Sequence, residues 1–129
     1  MQDGEGRYWF GTYGGGLSRL DGEEWTTFTI RDGLSTNIVS VLMVDRRGDL
    51  WLGCDGKGLS RFDGTDWTTY SGDQELASDR VASILEDRDG VIWVATADGD
   101  EWSVLTTEDG LASDKVTAIY QTQDGDLWF

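Results

Sequence analysis

The sequence predicts an all-β chain of repeated antiparallel sheets, and three observations carry that prediction. Trp9, Trp51 and Trp93 stand 42 residues apart, as do Trp25 and Trp67, and the stretch 8–28 realigns with 50–70 without a gap. Leu17, Ser18 and Arg19 return as Leu59, Ser60 and Arg61, and Trp25, Thr26 and Thr27 as Trp67, Thr68 and Thr69. Seven Trp, four Tyr and four Phe accompany 18 Gly and no Pro. That is the composition of short strands joined by glycine-containing turns, with aromatic side chains in the core. A helical repeat of this length would need helix formers in helical periodicity, and neither is present. A 42-residue period in a β composition fits one four-stranded propeller blade.

The elements follow in order. The chain enters in a second strand of a blade, at 7–12. The next unit is complete: strand A at 39–44, B at 50–53, C at 59–62 and D at 67–70, with hairpin turns at 46–49 and 63–64. Strand A carries Val39, Val41 and Leu42, matched by Val81, Ser83 and Ile84 and by Val116, Ala118 and Ile119. Such small and branched residues suit a crowded central channel. The third unit is shorter. Trp67 to Trp102 and Trp93 to Trp128 are each 35 residues apart, so seven residues are lost where Gly58 to Gly64 stood one unit earlier. Strand C of that blade is expected to be missing, with its outer strand either paired directly to strand B or left as an exposed edge. The chain stops in a further strand B at 127–129.

The expectation is therefore one partial β-propeller region over 1–129, of about three blades. Its units lie at approximately 8–49, 50–91 and 92–126, with the start of another at 127–129. Such an arc cannot close a ring of the usual size and leaves two blade faces uncovered. The split ends allow 116–121 to pair with 7–12, within one chain or between two.

Acids outnumber bases 25 to 10, for a formal charge of −15. Such a surface repels phosphate backbones and anionic membranes, so neither nucleic acid nor membrane is an expected partner. Cys54 is the single cysteine and has no internal disulfide partner. The first residues lack a basic and an apolar region, so an export signal, if there is one, lies outside this chain.

The segments Asp-x-x-Gly-x-Leu/Ile-Trp-x-Gly, Gly-Leu-Ser-Arg-x-Asp-Gly, Trp-x-x-Tyr/Phe and Asp-Gly-Leu, repeated along almost the whole chain, closely resemble the two-component regulator propeller repeat. That resemblance implies the extracytoplasmic sensor half of a bacterial hybrid histidine kinase, sensing carbohydrate or a related ligand from the periplasm or beyond. Similar repeats also occur in lyases and in plain binding modules, and fold alone does not choose among them.

Propellers usually bind at the rim carrying the D-to-A and B-to-C connections. Here these are 32–37, 73–79 and 108–114, with Tyr13, Asp55, Lys57, Asp98 and Asp100 from the B-to-C side. Tyr13, Asp32, Asn37, Asp55, Asp79, Asp98 and Asp114 are the candidate ligand-binding residues, suited to polyols, sugars or a cationic partner. The competing reading is that Asp-Gly, Ser and Asn at such places simply form turns. Tyr13 stands apart, because its equivalents are Asp55 and Ala97 and no repeat-wide packing rule demands an aromatic there. The other aromatics recur in register, and the tryptophans of strands B and D are expected to fill the cores between blades.

Asp87 to Gly90 and Asp124 to Asp126 resemble pieces of calcium loops, but none completes the pattern. With Gly48, Gly90 and Gly125 each three residues before a Trp, these segments read as hairpin turns, and no metal is expected. Arg19 with Asp21 and Arg61 with Asp63 read as repeated structural braces. Cys54 stands where the other units have Thr12 and Thr96 and reads as a buried replacement for Thr. No histidine is present, and no carboxylate pair is singled out by spacing, so neither catalysis nor a cofactor is expected. The leading expectation is a non-catalytic, ligand-sensing propeller segment that needs further blades of a parent chain. One alternative is a lectin-like subunit completing a ring by homo-oligomerisation. A weaker one is a lyase-type propeller with catalytic residues on other blades.

Overall fold

The structure, a computed structural model, describes residues 1–71 and 79–96 in full and the backbone of 102–105, 120–121 and 127–128. Strands β1 (Tyr8–Gly11), β2 (Leu17–Asp21) and β3 (Glu24–Phe28) form the first antiparallel sheet. A single 3-10 turn, Ile30–Asp32, leads to the second, ordered β4 (Val39–Val44), β5 (Leu50–Cys54), β6 (Gly58–Phe62) and β7 (Trp67–Tyr70). These are the A, B, C and D runs read from the sequence, with β5 and β6 each one residue longer than expected. The third sheet is ordered β8 (Val81–Glu86), β9 (Ile92–Thr96) and β10 (Trp102–Leu105). Here β10 pairs directly with β9, Trp102 opposite Ala95, so the shortened unit closes up as a three-stranded blade. The fold is a partial β-propeller of about three sheets.

At the end of the chain β11 (Tyr120–Gln121) pairs with β12 (Leu127–Trp128), its own successor, while 116–119 of the strand expected to be able to pair with 7–12 lie outside the described residues. The free side of β1 is bridged by the first residues: Trp9 N donates to Met1 O at 2.8 Å, and Gln2 bridges Tyr8.

Two cores repeat with the sequence. Between the first and second sheets lie Trp9 and Leu17 against Leu50 and Leu52, with Phe28 and Trp67 half-buried at the edge. Between the second and third, Trp51 and Leu59 meet Ile92 and Val94, with Tyr70 in the place of Phe28. At each of the two junctions a Trp-Leu-aromatic face of one sheet meets a mainly aliphatic face of the next, to which the second sheet adds Phe62 and Trp67. Burying such side chains stabilises each junction by about 1.5–3 kcal/mol per large residue. Close approach is set by glycine: a Cβ on Gly53 would stand 3.1 Å from Val41 and Val81 at once.

The backward face of the first sheet has no such cover. Tyr8, Phe10 and Trp25 are 46, 41 and 60 % exposed, whereas their repeat equivalents Leu50 and Leu52 are buried and Trp67 is half-buried. Trp25 is therefore a correction to the expectation that the strand B and D tryptophans fill inter-blade cores. It packs at 5.4 Å on Phe10 of its own sheet, because within the described residues no blade lies on that side. Trp9 and Trp51 are buried as expected; the side chains of Trp102 and Trp128 lie outside the described residues.

Candidate functional site: the loop rim and its opposite face

One rim is held together by a belt of backbone hydrogen bonds from blade to blade. Gly14 N and Gly16 N both donate to Asn37 O, at 3.0 and 2.8 Å, tying the B-to-C loop of the first blade to the loop that enters the second. Val39 N then donates to Thr12 O and Asp55 N to Ile38 O. At the next junction Gly58 N donates to Asp79 O at 2.9 Å, the same bond as Gly16 to Asn37 one repeat later. The D-to-A and B-to-C connections thus share one rim, with their backbones fixed by mutual pairing.

Of the candidate residues, Tyr13, Asn37 and Asp55 are brought together around Ile38, which Tyr13 bridges and whose carbonyl takes the Asp55 N–H. Tyr13 is 84 % exposed and projects from this platform. Asn37 is partly used internally, its Oδ1 accepting from Ile30 N at 3.0 Å. Asp55 lies 4.0 Å from Arg80. Asp79 joins the belt through its carbonyl, at the following junction. Asp32 is turned inward on its own loop: it accepts from Thr29 N at 2.8 Å and Thr29 Oγ1 at 3.0 Å in a capping box. Gly33 follows in the left-handed region against the Trp67 indole, and Leu34 is buried in the first core. The Asp-Gly-Leu motif is accordingly a loop anchor. Asp98 and Asp114, with Asp100, lie outside the described residues.

The opposite rim carries a repeated constellation that sequence reading took only for turns. Asp45 Oδ1 accepts from Arg47 N and Asp49 N, and its Oδ2 accepts from the Trp51 indole at 2.8 Å. Asp87 does the same for Asp89 N, Val91 N and Trp93, and Asp3 for Glu5 N, Arg7 N and Trp9. One carboxylate thus closes each A-to-B turn and satisfies the N–H of the strand B tryptophan. The available signal was an Asp six residues before each of these three tryptophans. Burial opposes the charge of Asp3, but hydrogen bonds from Trp9, from the Arg7 side chain and N–H, and from Glu5 N outweigh it and lower its pKa to about 2. Asp87 is lowered likewise: burial opposes its charge and Trp93, two backbone N–H groups and Arg46 prevail.

The expected Arg–Asp brace exists with a different partner. Arg61 binds Asp49 through Nε and Nη2 and lies 5.6 Å above the Trp51 ring. Asp63 spends its Oδ1 on Thr65 N and Asp66 N in its own turn. In the first blade the place of Asp49 is taken by Arg7, so the repeat puts no carboxylate opposite Arg19; among the described residues its buried Nε has no acceptor and its Nη2 donates to Thr26 Oγ1 at 3.3 Å. Cys54 is fully buried with its Sγ 3.6 Å from Ser60 Oγ, as a replacement for Thr requires.

The repeat signature of the two component regulator propeller matches residues 33–56, 75–98 and 110–129, segments that begin 42 and then 35 residues apart. The chain belongs to that family. Among solved structures, this family segment is similar to the extracellular domain of BT3049 from B. thetaiotaomicron, assigned to a hybrid two component system. The likeness has TM-score 0.79 and 24% identity, over 98% of this chain and 19% of that one. It is equally similar in fold to streptogramin B lyase, with TM-score 0.78 and 22% identity, over 99% of this chain and 45% of that one. Virginiamycin B lyase from Staphylococcus aureus follows at TM-score 0.78 and 17% identity, over 100% of this chain and 46% of that one. The chain therefore spans a fifth to just under a half of the lengths of these neighbours, and at such identities the likeness shows the fold. A comparison with curated proteins gives no match.

Proposed function

We propose that this segment is a non-catalytic, ligand-sensing part of a larger propeller, in the extracytoplasmic half of a bacterial hybrid two-component regulator, and that its ligand is a saccharide or related polyol. The observation that carries this reading is the loop rim: a belt of backbone bonds holds successive loops in fixed relation and leaves Tyr13 projecting from them. An aromatic ring on a rigid polar platform offers a stacking face for a pyranose, with Asn37 and Asp55 beside it for hydroxyl groups. Asp79 continues that rim at the next junction, Asp32 serves it by holding its loop, and Asp98 and Asp114 are assigned to it by their place in the repeat alone. No histidine stands in the chain to act as acid or base, and the Asp residues of the turns hold N–H groups instead of a reacting centre. Family membership supports the signalling role, with the single propeller region and repeat units as read from the sequence. A glycan array probed with the purified chain tests the reading: saccharide binding that Tyr13→Ala abolishes is the expected result, and no saccharide binding would count against it.

A second reading, a subunit that completes a ring with other copies of itself, is favoured by the uncovered apolar face of Tyr8, Phe10 and Trp25. Light scattering separates the two: a discrete dimer or trimer supports self-completion, and a folded monomer eliminates it.

A further inference from the structure

At the junction of the second and third blades, Arg46 staples one A-to-B turn to the next. Its Nη1 donates to Arg88 O at 2.6 Å, its Nη2 to Asp87 O at 2.9 Å, and its backbone N to Glu86 Oε2 at 2.8 Å. One repeat earlier the corresponding residue is Gly4, in a turn of the same construction: Asp3 N to Arg7 O matches Asp45 N to Asp49 O, and Gly6 and Gly48 share a left-handed backbone. By repeat position the first junction has Asp45 O and Arg46 O where the second has Asp87 O and Arg88 O, with Val44 in place of Glu86, and Gly4 carries no side chain to reach them. What stands there is an open cleft of about 420 Å³ between the two turns, lined by Gly4, Asp45, Arg46, Arg47 and Asp63 among others.

We propose that this cleft is a seat for a guanidinium group. Two neighbouring carbonyls accept a planar fork of parallel N–H donors at the equivalent junction of this same chain, and that geometry suits guanidinium where a point-like ammonium could hold only one of them well. The charges around the cleft suit a cation. Arg7 is tied to Asp3 and Glu5, Arg46 is directed toward the third sheet, and Asp49 holds Arg61, which leaves the negative charges of Asp45 and Asp63, whose oxygens hold N–H groups of their own turns, against the one positive charge of Arg47. The chain's net charge of −15 draws cationic partners from a distance. The site is distinct from the loop rim and does not depend on what that rim binds.

Amide chemical shifts of the chain titrated with N-acetyl-arginine amide test the proposal. Saturable shifts are expected at Gly4 and at 45–47, with binding roughly tenfold weaker for N-acetyl-lysine amide, as the loss of one charge-assisted hydrogen bond implies. Gly4→Arg, which supplies its own guanidinium, is expected to remove the response, and Gly4→Ala to keep it. Both substitutions are sterically open, since a Cβ at Gly4 meets nothing within 4 Å. Agmatine in place of the amide distinguishes a small guanidine from an arginine of a polypeptide by which binds tighter. Absence of saturable shifts, equal affinity for arginine and lysine probes, or an undiminished response in Gly4→Arg would overturn it.

Discussion

Trp51 donates its indole N–H to Asp45 Oδ2 at 2.8 Å, and the bond recurs one repeat away on either side, Trp9 to Asp3 at 2.7 Å and Trp93 to Asp87 at 2.8 Å. The same Asp45 holds the N–H groups of Arg47 and Asp49, so one side chain serves a turn and a core residue together. Asp45→Ala leaves three donors without their acceptor, and a loss of about 2–3 kcal/mol is expected in urea unfolding. Asp45→Asn is expected to recover part of this, because its one carbonyl oxygen can keep the two backbone N–H groups held by Oδ1 but leaves the Trp51 indole facing an NH2 group.

Acid is expected to loosen these turns first. Asp3 has its pKa lowered from 3.8 to about 2, and Asp87 is lowered as well. A depressed carboxylate stabilises the fold above its unfolded pKa, and that stabilisation fades as pH falls through the folded value. The effect is therefore full above about pH 4 and declines toward pH 2, on the order of 1–2 kcal/mol for Asp3. Tryptophan fluorescence followed from pH 5 to 2 is expected to show the change, with a smaller step in Asp3→Asn.

Arg46 joins the second and third blades through two backbone carbonyls. Its side chain is largely exposed, so Arg46→Ala is expected to cost only about 1 kcal/mol in urea unfolding. Arg46→Lys is expected to restore less than half of that, because one ammonium does not reproduce the fork.

Gly53 sits in close approach to Val81 across the junction of the second and third blades. Gly53→Ala places a methyl 3.1 Å from both Val41 and Val81, and a cost of about 1–3 kcal/mol is expected. Val81→Ala in the same chain should return part of it, a non-additivity that a double-mutant cycle measures.

The strands were legible in the sequence because the apolar and aromatic residues of Leu17 and Leu59, or Phe28 and Tyr70, return in register, and a repeated core needs repeated side chains. The direct pairing of β10 with β9 was legible from the seven missing residues. Three features were not. Asp45 looks like any turn-forming aspartate, and only the distance to Trp51 reveals that its second oxygen is spoken for. The nearer Asp63 looks like the partner of Arg61, but that carboxylate folds onto its own turn while Asp49 arrives from the turn that leads into β5. The exposure of Trp25 depends on what lies beyond the first sheet, which no pattern within strand D encodes. At the rim, the exposure of Tyr13 was legible because Tyr13 breaks the repeat, whereas the inward turn of Asp32 follows from Thr29, three residues earlier.

The most direct test of the proposed ligand-binding role of the rim is an amide chemical-shift map of the chain titrated with the best saccharide from an array. Shifts confined to 13–16, 32–38, 55–58 and 79–80, and lost in Tyr13→Ala, are the expected result. Shifts centred on the A-to-B turns at 45–49 or 87–90, or none at saturating saccharide, would contradict it.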